Sequence, residues 1–227
     1  MEISGVTTVF YSPTQTSQKI ALAISEGAKA TGQVQQIDIT STKPEKEIKI
    51  GPDELAIIAV PVYAGRVAPI AKQRLLELSG NNSPAILVVL YGNREFEDAL
   101  LELKELAEAQ SFVIIAAAAF IGEHSFSTTD NPIAHGRPDE NDLTIARKLG
   151  VNVRKKLAGT EATGIIKVPG NRPYKDGMPN LPFTPGIDLE TCTQCGDCIP
   201  ACPKGAITIK DEITFNVDSC TFCCACI

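Results

Sequence analysis

The chain has no tryptophan and only two histidines, His124 and His135, among its 227 residues. Nucleophilic triads and multi-imidazole metal sites are short of raw material here. No Ser/His/Asp set and no pair of catalytic carboxylates is legible. Cysteine is missing from the whole chain before Cys192, and all eight lie from there onward. A secreted disulfide scaffold would spread its cysteines, so that class is set aside. Long apolar runs are also missing: the longest, 112–122, reaches only about half a membrane span. The opening Met1-Glu2-Ile3 offers no cationic leader. Neither GxGxxG nor GxxxxGK[ST] occurs, which removes the Rossmann and P-loop phosphate fingerprints. The net charge of −6 argues against nucleic acid or an anionic membrane as the main partner. A soluble cytoplasmic protein is expected, whose modest acidity suits docking to a basic patch.

What is present begins with alternation. A 44% hydrophobic chain of this length suits one medium domain, 1–158, and one small one. Strand-like runs stand at 6–11, 34–39, 55–60, 85–90 and 112–120. Helical patterns fall at 15–31, 68–79, 95–110 and 139–157, with Ile20, Ile24 and Ala28 on one face of the first. Phe96, Leu100, Leu103 and Ala107 point inward from the third. Asp139 and Asp142 are spaced as a capping box for the last. Continuous apolar strands between amphipathic helices predict an α/β parallel sheet covered on both faces. Five strands with five helices is the flavodoxin-like, doubly wound count, with strand order 2-1-3-4-5 and a ligand site outside strands 1 and 3. Between Gly159 and Ile187, five glycines and five prolines mark an irregular connector. Its Ile165, Ile166, Val168, Tyr174, Met178 and Phe183 predict packing on a domain surface.

The cysteines, at 188–227, repeat. Cys192, Cys195, Cys198 and Cys202 read C-x2-C-x2-C-x3-C before Pro203, and Cys220, Cys223 and Cys226 restart the pattern. Aligning the two runs sets the eighth cysteine, Cys224, opposite Gly196, as a non-ligand at a small-residue position. Structural zinc is the competing reading, since Cys195/Cys198 and Cys220/Cys223 approach a zinc-ribbon spacing. It leaves Cys192, Cys202 and Cys226 without a role. The pattern resembles the two-cluster bacterial ferredoxins, small α+β domains in which the fourth cysteine of each run ligates the other cluster. The resemblance implies two [4Fe–4S] clusters, one on Cys202, Cys220, Cys223 and Cys226, the other on Cys192, Cys195 and Cys198. The fourth ligand of the latter would fall beyond Ile227. Either the natural chain continues or that site has three protein ligands; the former is the reading adopted.

Three loops complete the expectation. Ser12, Thr14, Gln15, Thr16 and Ser17 open the first helix and form a hydroxyl-rich anion site. This turn resembles the flavodoxin FMN-phosphate loop, with Gln15 standing where flavodoxins usually have glycine. Pro61, Val62, Tyr63, Ala64 and Gly65 after strand 3, and Tyr91, Gly92, Asn93, Arg94 and Phe96 after strand 4, resemble the loops that clasp the isoalloxazine. The segment 122–127 leaves strand 5 at the same end and a long loop continues through His135; His124 or His135 is either a proton relay or partner contact, or a local hydrogen-bonding group. The chain as a whole resembles the flavodoxin–ferredoxin fusion proteins of anaerobic prokaryotes. That resemblance implies electron transfer between FMN, [4Fe–4S] clusters and a protein redox partner, a ferredoxin or a reductase. Catalytic side chains are not expected, and a homodimer is compatible. A flavin-dependent reductase of NAD(P)H, a quinone or another organic substrate is the alternative; a sensor with decayed flavin loops is a third. Arg66 and Arg94 in the flavin loops, partly offset by Glu95, would make the flavin a weaker reductant than in flavodoxins.

Overall fold

The computed structural model describes residues 3–29, 33–41, 44, 46–159, 164–178, 186–209 and 213–227. Expectations at Met1, Glu2, Thr31 and Phe183 fall outside them. The elements run β1 (Gly5–Phe10), α1 (Thr16–Ala28), β2 (Gln33–Asp38), β3 (Ile48–Lys49), β4 (Glu54–Tyr63), β5 (Arg66–Val67), α2 (Pro69–Leu75), β6 (Leu78–Ser79), β7 (Ser83–Tyr91), α3 (Ala99–Ala109), β8 (Phe112–Ile121), α4 (Glu140–Ala158), α5 (Cys198–Ala201), β9 (Ile207–Ile209) and β10 (Ile213–Phe215). The main sheet is ordered β2-β1-β4-β7-β8, all parallel, with β5 antiparallel on the end of β4. Counting only the five long strands, this is the expected 2-1-3-4-5. Ala56, Ile58 and Val60 of β4 face one core with α2 and α3, while Leu55, Ile57 and Ala59 face the other with α1 and α4. Both faces are buried, which is why β4 and β7 are apolar at every step rather than at alternate ones.

Three local expectations are corrected. Four helices, not five, occur among the described residues of 1–158. The β2–β4 connection carries the short strand β3 (Ile48–Lys49). The second helix stops at Leu75 because the backbone of 77–79 is taken by the 48–50 segment: Ile48 N donates to Glu77 O (2.7 Å) and Ile50 N to Ser79 O (2.9 Å). The third begins at Ala99 rather than 95. Glu97 sits at φ 45°, outside helical space, and the Glu95 carboxylate accepts from Phe96 N (3.0 Å), which fixes a turn.

The capping box of α4 is present as read, with Asp139 accepting from Asn141 N and Asp142 N. α1 and α4 cross through Gly27 and Gly150: a Cβ on either would collide with helix backbone, at Arg147 O or at Ile24 O. The connector packs in part where it is described; Ile165, expected to pack, is 89% exposed. Ile166 and Val168 lie against the α2/α3 core. The buried Asp98 carboxylate accepts from Asn171 N (2.7 Å) and Lys175 N (2.8 Å). Those two donors pull its pKa below the usual carboxylate range.

Candidate functional site

The carboxyl ends of β1, β4, β7 and β8 enclose a cleft of about 500 Å³, part of it open to solvent. The first loop contributes Ser12, Thr14, Thr16 and Ser17; the second Pro61, Val62 and Tyr63; the third Tyr91 and Gly92. Gln15, Ala64, Gly65, Asn93, Arg94 and Phe96 do not line it. Ala64 (φ 51°) and Gly65 (φ 80°) make the two-residue turn between β4 and β5, and Phe96 backs Tyr91 edge-on at 5.4 Å. Pro13, Leu90, Gly122, Glu123, His124, Ser125 and Cys223 line the cleft without being in the expected ligand set. The 122–127 segment leaving strand 5 was the available signal for four of them; nothing in the sequence placed Cys223 there.

The first loop makes a tight left-handed turn into α1. Gln15 adopts φ 63°, the left-handed region that glycine enters freely, so the turn has the shape its glycine-bearing counterparts need. Ser12 is committed locally: its Oγ accepts from Gln18 N (3.0 Å) and its N–H donates to Thr40 Oγ1 (2.8 Å). Ser17 is fully buried, and its Oγ has no hydrogen-bond partner among the described residues. An orphaned hydroxyl at the N-terminus of a helix, where the Gln18 amide is already taken by Ser12, fits a phosphate. This is the observation on which the cleft matches FMN.

The walls are less charged than the sequence suggested. Arg66 is turned away and forked onto the buried Glu102, Nε to Oε2 at 2.8 Å and Nη2 to Oε1 at 2.7 Å. Arg94 pairs with Glu97 at 3.2 Å. Arg66 is thereby drawn out of the cleft, whereas Arg94 shares Glu97 with Lys175 and its charge still reaches His124. His124 accepts from Phe126 N at Nδ1 (3.0 Å), so its proton sits on Nε2. Burial first, then the charge of Arg94, lowers its pKa and keeps the ring neutral. Glu123 accepts from Gly136 N (3.0 Å) and contacts His135 Nδ1 (2.9 Å), holding its carboxyl down to about 2. Burial raises the pKa of Tyr63, which stays a neutral phenol.

The cysteine-bearing segment rests on this end of the sheet. Cys202, Cys220, Cys223 and Cys226 line one cavity of about 380 Å³, with Cys224 and apolar groups such as Ile207, Phe215 and Phe222. Cys202 Sγ accepts from Ala206 N at 3.2 Å. Four thiols about one apolar cavity fit a cubane cluster. Cys192, Cys195 and Cys198 are not part of that cavity, and Cys195 is exposed. All eight thiols are free, and among the described residues no group of three potential ligands stands close enough to hold a single metal ion. The internal repeat shows in the backbone. Gln194 (φ 56°) and Gly196 (φ 86°) of the first run are matched by Phe222 (φ 52°) and Cys224 (φ 57°) of the second.

Residues 185–208 match the 4Fe–4S binding domain family. Ferredoxin-1 of Rhodobacter capsulatus is 53% identical over 38 residues, covering 16% of this chain and 58% of that protein. The ferredoxin-like protein of the vnf region of Azotobacter vinelandii is 47% identical over 38 residues, with the same 16% and 58%. The chain thus spans 58% of the length of these curated relatives. Oxidised flavodoxin 1 of Bacillus cereus superposes with TM-score 0.51 at 12% identity, over 67% of this chain and 98% of that one. A flavodiiron core from Synechocystis gives 0.50 at 18%, over 70% of this chain and 37% of that one. The chain joins a flavodoxin-like domain to a 4Fe–4S ferredoxin segment. The ferredoxin segment sits over the flavodoxin-like cleft: Cys223 lines it, Cys224 meets Ser125, and Tyr11 lies beside Cys202, Cys223 and Thr221. No helix among the described residues is long and apolar enough to cross a membrane.

Proposed function

We propose that this is a cytoplasmic electron-transfer protein that holds FMN in the cleft and two [4Fe–4S] clusters on its cysteines. Bound FMN exchanges one or two electrons and iron–sulfur centres exchange them singly. The observation that carries the reading is Cys223, a member of the iron–sulfur run, lining the same cleft as the 12–17 turn. In this reading Thr14, Thr16 and Ser17 with the remaining first-turn amides of α1 hold the phosphate. Tyr63 and Tyr91 flank the ring system, and His124 presents a fixed Nε2–H. Cys202, Cys220, Cys223 and Cys226 hold one cluster; Cys192, Cys195 and Cys198 supply the other. The exposure of Cys195 suits exchange with a protein partner, a ferredoxin or a reductase.

His124 gives the reductase alternative its footing, because a neutral N–H donor in the cleft could orient an organic substrate. Stopped-flow reduction of anaerobically purified protein by NADH, NADPH and reduced ferredoxin separates the two. Rapid reduction by ferredoxin alone is expected; direct reduction by a nicotinamide would favour the reductase. Flavin binding has its own test. Losing a hydrogen bond to a charged group costs about 1.5–3 kcal/mol. The Thr14→Ala/Thr16→Ala pair should therefore weaken FMN by at least about tenfold in a fluorescence titration. Unchanged affinity moves the phosphate site elsewhere.

A further inference from the structure

Arg74, on α2, is a buried cation, 7% exposed, whose guanidinium hydrogen-bonds no carboxylate among the described residues, although the charge of Asp38 reaches it. Its guanidinium instead gathers backbone carbonyls from two parts of the chain. Nη1 donates to Ile39 O (2.6 Å) and to Thr40 O, just after β2. Nη2 donates to Pro203 O (2.7 Å), the residue following Cys202. The guanidinium carbon also stands 5.9 Å from the centre of the Tyr11 ring, at the end of β1. The hydrogen bond to Pro203 ties the sheet to the ferredoxin segment beside one of the cavity thiols.

Burying a full charge is costly unless an opposite charge or strong hydrogen bonds offset it. The carbonyls take three of the five N–H donors of Arg74 and are themselves neutral; the charge of Asp38, whose carboxylate is held by Thr40 N (2.7 Å), offsets part of the cation. Four thiolates around a [4Fe–4S] core leave a net negative charge, and Cys202 and Cys223 bring that charge to the neighbourhood of Tyr11, whose ring Arg74 also faces. We infer that Arg74 is a positioning residue. Its fork anchors the Cys202–Pro203 turn over the flavodoxin-like cleft, and its charge serves as the counter-cation of the cluster held by Cys202, Cys220, Cys223 and Cys226. The counter-cation half rests on the proposed cluster assignment. The anchoring half rests on the fork alone.

Two variants of the full chain, isolated anaerobically, separate the roles. Arg74→Gln removes charge and fork. It should shift the potential of the Cys202-linked cluster to more negative values, with the Cys192/Cys195/Cys198 cluster as internal control. It should also speed amide hydrogen exchange across 202–206 and 220–227. Arg74→Lys keeps the charge and loses the fork, so the potential should hold while exchange still quickens in those segments. If Arg74→Gln does not fold, Arg74→Lys alone decides. Exchange as slow as wild type there, or quickened equally over the whole sheet, overturns the anchor. An unmoved potential in a folded Arg74→Gln, or a potential in Arg74→Lys that falls, overturns the counter-cation. Wild-type protein without iron would defeat the cluster assignment itself and leave the exchange result standing as the separate test of the anchor.

Discussion

Gln15 holds a left-handed backbone, φ 63°, that costs an L side chain about 1–2 kcal/mol. Glycine enters that region freely but loses more entropy on folding, by roughly 0.5–1 kcal/mol. Gln15→Gly should therefore stabilise the chain by up to about 1 kcal/mol in urea unfolding without loss of FMN affinity. Gln15→Val, β-branched at the same φ, should weaken both. Gly92 makes the complementary point. A Cβ there would meet the ring of His124, which is tethered through Nδ1 to Phe126 N. Gly92→Ala should displace that imidazole and lower FMN affinity by several-fold, while the thermal midpoint moves little. A crystal structure of the variant with His124 unmoved would refute the account.

Between elements, the tightest joint is α1 against α4 at Gly27 and Gly150. Overpacking costs about 1–3 kcal/mol, and alanine regains up to ~1 in helix propensity. Either Gly→Ala change should lose about 1–2 kcal/mol in urea unfolding. The pair should be non-additive, because the two sites share one contact. A second joint is Glu102 on α3, which accepts from Arg66, Lys72 Nζ (2.9 Å) and Val67 N (3.0 Å) and so ties α3 to β5 and α2. Burial pushes its pKa up, but those bonds together outweigh it and the net shift is downward. A lowered folded-state pKa means the stabilisation is full above the ordinary glutamate range and is lost as pH falls below it. Glu102→Gln should cost about 1.5–3 kcal/mol at pH 7. It should also flatten the decline in stability between pH 5 and pH 3 (a range set by reference carboxylate pKa values of roughly 4); an unchanged slope would rule Glu102 out as its source. The elements themselves were legible because β4, β7 and β8 are apolar runs and α4 carries its capping box. The ends were not: β6 stops α2 through backbone pairing with residues 30 positions upstream, which no local pattern records.

At the scale of the molecule, the ferredoxin motif was legible because its cysteine spacing is local in sequence, and residues 185–208 match the 4Fe–4S binding domain family. Cys202 does share a cavity with Cys220, Cys223 and Cys226 rather than with its own run. Anaerobically isolated full-length protein should contain about eight iron and eight sulfide. Cys202→Ser should damage the cluster of Cys220, Cys223 and Cys226, and Cys224→Ala should leave iron content unchanged. Zinc in place of iron in fresh anaerobic material would end the electron-transfer reading. What the sequence could not carry was the meeting of the two parts. Cys223 reaches the cleft only through tertiary contacts that join Arg74 to Pro203 and Tyr11 to the 220–224 turn. If the proposed cofactors are right, the same arrangement predicts an order of assembly. With the ferredoxin segment seated, Cys223 stands in the cleft and Cys224 covers Ser125 of the loop after β8, so on the proposed reading a flavin loads most readily while that segment is undocked. Iron delivered first would close the route, and flavin added late to an iron-loaded chain should enter slowly, at the rate at which the segment lifts.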